Sequence, residues 1–261
     1  HVTKKAEQKA QQTGKLDALV DPSGGGLYGP IRRSLPRFEQ VGGNFRLTVG
    51  CPLPIETRVD TTGSMGNNVD IALRVLPDMY ELCVQVAHGC DLQIATGIFG
   101  DIQDTFVLCR PQFEMEAGKI VRQLSLMVPK RAGGDIPEDP HYGLFAGAYL
   151  TAAYINKIGL KGYDFTVSDA PARERLDEQQ LYRIFGNNVF ECVAEIHPQM
   201  QRARMLRTAS VVQDLLQRAH AFFLQVGQDS DTHSFWSEMF GEERVVMLPS
   251  TELLPYVQAV I

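Results

Sequence analysis

The chain has 261 residues, 44% of them apolar, which is enough to bury one full α/β core and too little for two large independent domains. No apolar run approaches the roughly 18 residues that span a bilayer, and the amino terminus lacks the apolar segment of a signal peptide, so a cytoplasmic setting is expected. The net charge of −6 divides unevenly: residues 1–40 hold seven Lys/Arg and four acids, a balance of +3, which leaves −9 for the rest.

Residues 1–16 are rich in Lys and Gln and suit a short polar helix, and the Gly- and Pro-rich stretch from Asp21 to Arg37 suits an extended linker or strap. Residues 1–44 are therefore assigned to a basic arm and 45–261 to the folded domain. Phe45–Val49 is expected as an edge strand, after which Pro52 and Pro54 should interrupt pairing. Ile55–Val59 is extended and stops at Asp60. From Val69 to about His88 apolar residues recur at helical steps, with Pro77 expected to kink the helix.

Leu92–Phe99 predicts a strand and Thr105–Cys109 its hairpin partner; Glu116–Val128 is helical in period. A Gly133-Gly134-Asp135 loop precedes a helix expected from about Glu138 to Ile158. Tyr163–Ser168 predicts a buried strand ending at Asp169, and Gln179–Phe185 a helix; residues 186–204 carry no clear period, and within them Val189–Ile196 suits either a strand or a short helix. Helix Thr208–Ala219, strand His220–Val226, helix Ser234–Phe240, strand Arg244–Leu248 and helix Glu252–Ile261 complete the chain. Such alternation predicts a Rossmann-like, doubly wound α/β fold: a mostly parallel sheet, helices on both faces, one antiparallel edge strand, and ligands at the carboxyl ends of the strands.

Asp60, Thr62 and Ser64 alternate just past such an end and offer one carboxylate and two hydroxyls, hard donors that suit Mg²⁺. Asp60-Thr61-Thr62-Gly63-Ser64-Met65 resembles the Asp-x-Ser/Thr-x-Ser signature of von Willebrand factor A (VWA) domains, whose metal-ion-dependent adhesion site (MIDAS) is built from three loops. Gly133-Gly134-Asp135-Ile136-Pro137-Glu138 resembles a Gly-Gly-Asp-x-Pro-Glu form of the second loop, with Asp where Thr is commoner. Phe165-Thr166-Val167-Ser168-Asp169-Ala170 resembles the third, with Ala170 where Gly is common. The resemblance covers roughly residues 50–261. It implies a metal set of Asp60, Thr62, Ser64, Asp135 and Asp169 holding Mg²⁺, with Ca²⁺ or Mn²⁺ as alternatives. It also implies a non-enzymatic protein-interaction module that serves as adaptor or subunit of a larger intracellular assembly, with an AAA+ ATPase among the partner classes.

Each motif has a plainer explanation. Asp60 and Ser64 are good caps for the following helix, Asp135 and Pro137 suit a helix start, and Asp169 suits an Asx-turn. Ser64, Asp169 and then His197 or His220 follow hydrolase order, but Thr62 is too bulky for the strained elbow of a serine nucleophile. The basic arm could serve nucleic-acid binding on a VWA scaffold, although no basic-aromatic pattern supports it. The five cysteines (Cys51, Cys83, Cys90, Cys109, Cys192) show no zinc-ligand spacing and are expected as buried, reduced thiols. His88, His141, His197, His220 and His233 are scattered and are expected at the surface or as satisfied core residues, and Trp236 with Phe235 and Phe240 is expected in the core.

Overall fold

A computed structural model describes residues 32–34, 38–47, 51–104, 107–129, 131 and 137–261. Its main sheet has six strands: β4 (Cys51–Asp60), β5 (Cys90–Phe99), β6 (Leu108–Cys109), β8 (Gly162–Ser168), β9 (Ala219–Gln225) and β10 (Val245–Met247). They lie in the order β10-β9-β8-β4-β5-β6, all parallel except the antiparallel edge strand β6. The expected doubly wound, mostly parallel sheet with one antiparallel edge strand is what the chain forms.

Alternation along β4 sets the two faces. Ile55 and Val59 project into one core with Leu92, Ile94 and Ile98, beneath α1 (Asn68–Val86), α2 (Ala117–Ser125) and α9 (Leu254–Val260). Glu56, Arg58 and Asp60 project to the opposite face, where α3 (His141–Tyr149), α4 (Glu178–Phe185), α5 (Val189–Ile196), α7 (Thr208–Arg218) and α8 (Ser230–Phe240) pack a second core. The short α6 (Arg202–Met205) and α5 occupy the stretch that lacked a period.

Every residue of α3 is buried, as an all-round apolar helix requires, yet it lies directly on a charged network. Arg58 makes a two-pronged pair with Asp164 (2.6 Å for both contacts) and donates to Thr166 (3.0 Å). Arg110 grips Glu56 at 2.5 and 2.6 Å and also reaches the Thr151 hydroxyl. Burial alone would raise the Glu56 carboxyl; Arg110 and Arg58 override it and hold it down to about 2. Such pairs survive burial only because each charge is matched at hydrogen-bonding distance. Gly143 and Gly147 make room for them, since a Cβ would stand 2.7 Å from Arg58 Cδ at the first and 2.9 Å from Asp164 Oδ2 at the second.

Several expectations need correction. Pro52 and Pro54 do not interrupt pairing: β4 pairs with β5 along its whole length. Pairing with β8 starts only at Ile55, so both prolines precede that ladder and their missing N–H groups break none of its bonds; Gly162 makes room for Pro54, since a Cβ there would stand 2.4 Å from the Pro54 carbonyl oxygen. Asn44–Leu47 (β3) pairs antiparallel with Phe38–Val41 (β2) rather than joining the main sheet, and positions 48 and 49 of the expected strand lie outside the described residues. The helix expected over Glu138–Ile158 is broken: α3 ends at Tyr149, Thr151–Ala153 is β7, and Tyr154–Ile158 is a 3₁₀ turn. The break is tertiary in origin, because β7 pairs in parallel with β1 (Arg32–Ser34), and the Thr151 hydroxyl closes the helix end on the Ala146 carbonyl. The polar helix expected over residues 1–16 lies outside the described residues.

His141 is core, but not satisfied: both ring nitrogens lack a hydrogen-bond partner, and burial followed by the Arg173 charge pushes its pKa down to about 3. All five cysteines are reduced thiols; Cys83, Cys109 and Cys192 are buried as expected, while Cys51 and Cys90 are half-buried. No helix among the described residues is long and apolar enough to cross a membrane.

Candidate metal centre

Four of the five residues expected to hold a cation meet above the carboxyl ends of β4 and β8. Asp60 Oδ1 accepts the Thr62 backbone N–H (2.8 Å) and hydroxyl (2.7 Å), and Oδ2 accepts the hydroxyl of Ser168, the last residue of β8, at 2.6 Å. Ser64 Oγ donates to Asp169 Oδ1 at 2.9 Å and lies 3.1 Å from Thr62 Oγ1. Asp135 lies outside the described residues.

Helix capping does not account for these side chains. The residue preceding α1 is Asn67, which makes no side-chain cap, while the Asp60, Ser64 and Asp169 side chains bond across loops instead. The first loop is pinned at Thr61, whose N–H and hydroxyl both donate to the Phe99 carbonyl at the end of β5. Its carbonyl accepts the N–H of Arg131, which enters the second loop at the left-handed φ of 53° and pairs with Asp70. Met65 is fully buried in the core and anchors the turn from below.

Glu138 is the residue that sequence reasoning missed. It closes the second-loop motif and a helix is expected to start there, but it is absent from the expected metal set; the chain makes it a parallel bridge with Ala172, its N–H donating to the Pro171 carbonyl and its own carbonyl accepting from Arg173. This draws the second loop against the third. The Glu138 side chain reaches Thr62, only 3% of the residue is exposed, and Oε2 has no hydrogen-bond partner. The one sequence signal was its place as last residue of the Gly-Gly-Asp-Ile-Pro-Glu stretch.

The electrostatics follow from burial without a counter-charge. Desolvation pushes the Asp60 carboxyl up to about 6 against three hydrogen bonds that lower it, with Asp169 adding repulsion. Desolvation also raises Asp169, and lifts Glu138 to about 8 with help from Asp60 and Asp101. Behind this group, Asp139 and Asp101 are tied to Arg173 at 3.0 and 3.3 Å, and Asp139 also accepts the Ile102 N–H.

This donor set fits a hard divalent ion. The Thr62 and Ser64 hydroxyls give their protons to carboxylates, which leaves oxygen lone pairs available. Their 3.1 Å separation is close to the ~3 Å edge of an octahedron with ~2.1 Å metal–oxygen bonds. Among the described residues no three His, Cys, Asp or Glu side chains form a cage by themselves, so a hydroxyl–carboxylate set completed by waters is the arrangement on offer.

A serine-hydrolase triad is not assembled. His220 is the second residue of β9, and His197 faces Arg218, just ahead of β9; both lie at the amino-terminal rim of the sheet, opposite Ser64.

No protein-family model matches the chain, and no curated protein matches it by sequence. Among solved structures it is similar to the pilus adhesin SpaC from Lactobacillus rhamnosus GG in its open conformation, with 12% identity, a TM-score of 0.53, and coverage of 84% of this chain but 30% of the adhesin. A second structure of that adhesin gives a TM-score of 0.52. Proximal thread matrix protein 1 from the mussel byssus, with a zinc-occupied MIDAS motif, is similar at 11% identity and a TM-score of 0.49, over 80% of this chain and 44% of that one. The chain thus spans less than half the length of these proteins, and what it shares with the adhesin is the architecture: a VWA-like α/β fold.

Proposed function

We propose that the chain is a metal-dependent, non-enzymatic protein-interaction module of the MIDAS type. The observation that carries this reading is the convergence of Asp60, Thr62, Ser64 and Asp169 at one point above the sheet, with the unpartnered Glu138 Oε2 beside them. Thr62 and Ser64 supply neutral oxygen, Asp60 and Asp169 supply charge and hold the hydroxyls in place, and Glu138 supplies a further carboxylate. Asp135 remains in the proposed set on the strength of its motif. Mg²⁺ is the preferred ion because every donor is a hard oxygen; Ca²⁺ and Mn²⁺ share that preference. When bound, the ion supplies an electrophilic position for an oxygen of the partner, and the three loops around it set specificity.

The partner class proposed is protein, in keeping with the adhesin likeness in fold. An intracellular adaptor role and an AAA+ ATPase partner rest on the motif resemblance alone. Titration of the chelated chain with Mg²⁺ and Mn²⁺ by calorimetry tests the reading: saturable binding that Asp60→Ala abolishes is expected, and no binding by the intact chain overturns it. The hydrolase alternative predicts labelling of Ser64 by a fluorophosphonate. With His197 and His220 both at the opposite rim of the sheet, none is expected.

A further inference from the structure

Cys51 and Cys90 open the adjacent strands β4 and β5, and the parallel register sets them directly opposite each other. Neighbouring strands run about 4.8 Å apart, inside the ~4.4–6.8 Å range of Cα separations that a disulfide bridges. Opposed residues of a parallel pair project from the same face, here the face of Ile55, Leu92 and Ile94. Both thiols are half-buried, whereas the other three are buried. We propose that Cys51 and Cys90 are a reversible dithiol–disulfide pair, oxidised by small-molecule disulfides, that staples β4 to β5 at the rim opposite the candidate metal centre.

The chemistry is balanced thiol–disulfide exchange. The thiolate of one cysteine attacks a sulfur of the small disulfide, forming a mixed disulfide and releasing one small thiolate. The thiolate of the other cysteine then attacks the protein sulfur of that mixed disulfide and releases the second. The protein loses two electrons to the small disulfide, and the two thiol protons pass through water to the released thiolates. The same proximity acts on Cys51, whose thiol is pushed up first by burial and then by Cys90. The staple would fix the lower ends of the two strands whose upper ends carry Asp60 and the Phe99 carbonyl that holds Thr61.

Incubating the full chain with oxidised glutathione, alkylating, and mapping peptides without reduction tests this. The expected product is a single Cys51–Cys90 cross-linked peptide, lighter by a pair of hydrogens and free of retained glutathione. Cys51→Ser should stop at one glutathione on Cys90, and Cys90→Ser at one on Cys51. Separate, stable glutathione adducts on both cysteines of the intact chain, a link to Cys83, Cys109 or Cys192 instead, or no reaction under conditions that oxidise a reference dithiol would each overturn the proposal.

Discussion

Ser64 and Asp169 stand 105 residues apart in the chain and share a 2.9 Å hydrogen bond, Oγ to Oδ1, that ties the first loop of the candidate centre to the third. Neither residue is placed by its local sequence; each follows the end of a different strand, and β4 and β8 are neighbours in the sheet. The bond holds the two loops to each other, and loops held together reduce the ordering that binding must supply.

Mg²⁺ at about a hundredfold over its dissociation constant should stabilise the chain by about 2.7 kcal/mol, or roughly 5–10 °C in Tm for a domain of this size. Chelator should remove the increment. Asp60→Ala should abolish it while keeping the far-ultraviolet circular dichroism unchanged. A Tm that ignores both Mg²⁺ and chelator would count against the metal reading.

Glu138→Gln keeps the shape of the side chain and removes its charge. Cation affinity, followed by Mn²⁺ titration with electron paramagnetic resonance, should fall by about 10-fold or more. The metal-free chain should be no less stable, since an unpartnered buried carboxylate is a cost to the fold. If Glu138→Gln binds as well as the parent while Asp60→Ala does not, Glu138 is not a donor and the rest of the site stands.

Gly143→Ala and Gly147→Ala should destabilise the chain by about 1–3 kcal/mol each, because the added methyl meets the buried Arg58–Asp164 pair. Gly118→Ala is the control: it lies in α2 with nothing within 4 Å of the new methyl, and should stabilise by about 0.5–1 kcal/mol. Urea melts of the three variants check the contrast in sign.

His141 predicts an acid limit. Its folded pKa, about 3, lies below the ordinary value of 6.5, so the unfolded chain takes up the proton first and stability is lost as pH falls from 6.5 towards 3. Between about pH 6.5 and pH 5 the His141 contribution should fall by about 2 kcal/mol, while Glu138 and Asp60, raised to about 8 and about 6 in the fold, contribute in the opposite direction. His197, lowered to about 4 by burial and then Arg218, adds in the same direction as His141. Relative to His141→Leu, the parent should lose about 2 kcal/mol more as pH falls from 6.5 to 5; a difference between the two that does not vary with pH would assign the effect elsewhere.

Much of the fold was legible because it depends on period and alternation. The repeat of Val69, Ala72, Leu76, Met79 and Cys83 gave α1 its buried face, and strand–helix alternation gave the parallel sheet. What escaped was decided between distant segments. Nothing local indicates that Thr151–Ala153 leaves a helix to pair with Arg32–Ser34, or that Pro52 and Pro54 are tolerated because β8 begins pairing later. The same holds at the candidate centre: Asp60, Thr62 and Ser64 announce themselves by spacing, while Glu138 turns towards Thr62 only through its bridge to Ala172.

Trp236 is the only tryptophan in the chain, stacks on Phe223 with ring centroids 4.4 Å apart, and donates its indole N–H to the Ala170 carbonyl at 3.0 Å. Ala170 follows Asp169 directly, and the carbonyl of Asp169 itself accepts from Thr232 on the same helix. The molecule therefore carries a built-in optical reporter: any shift of the third loop is transmitted to one indole dipole, and the emission spectrum of the unlabelled protein can follow that loop in real time.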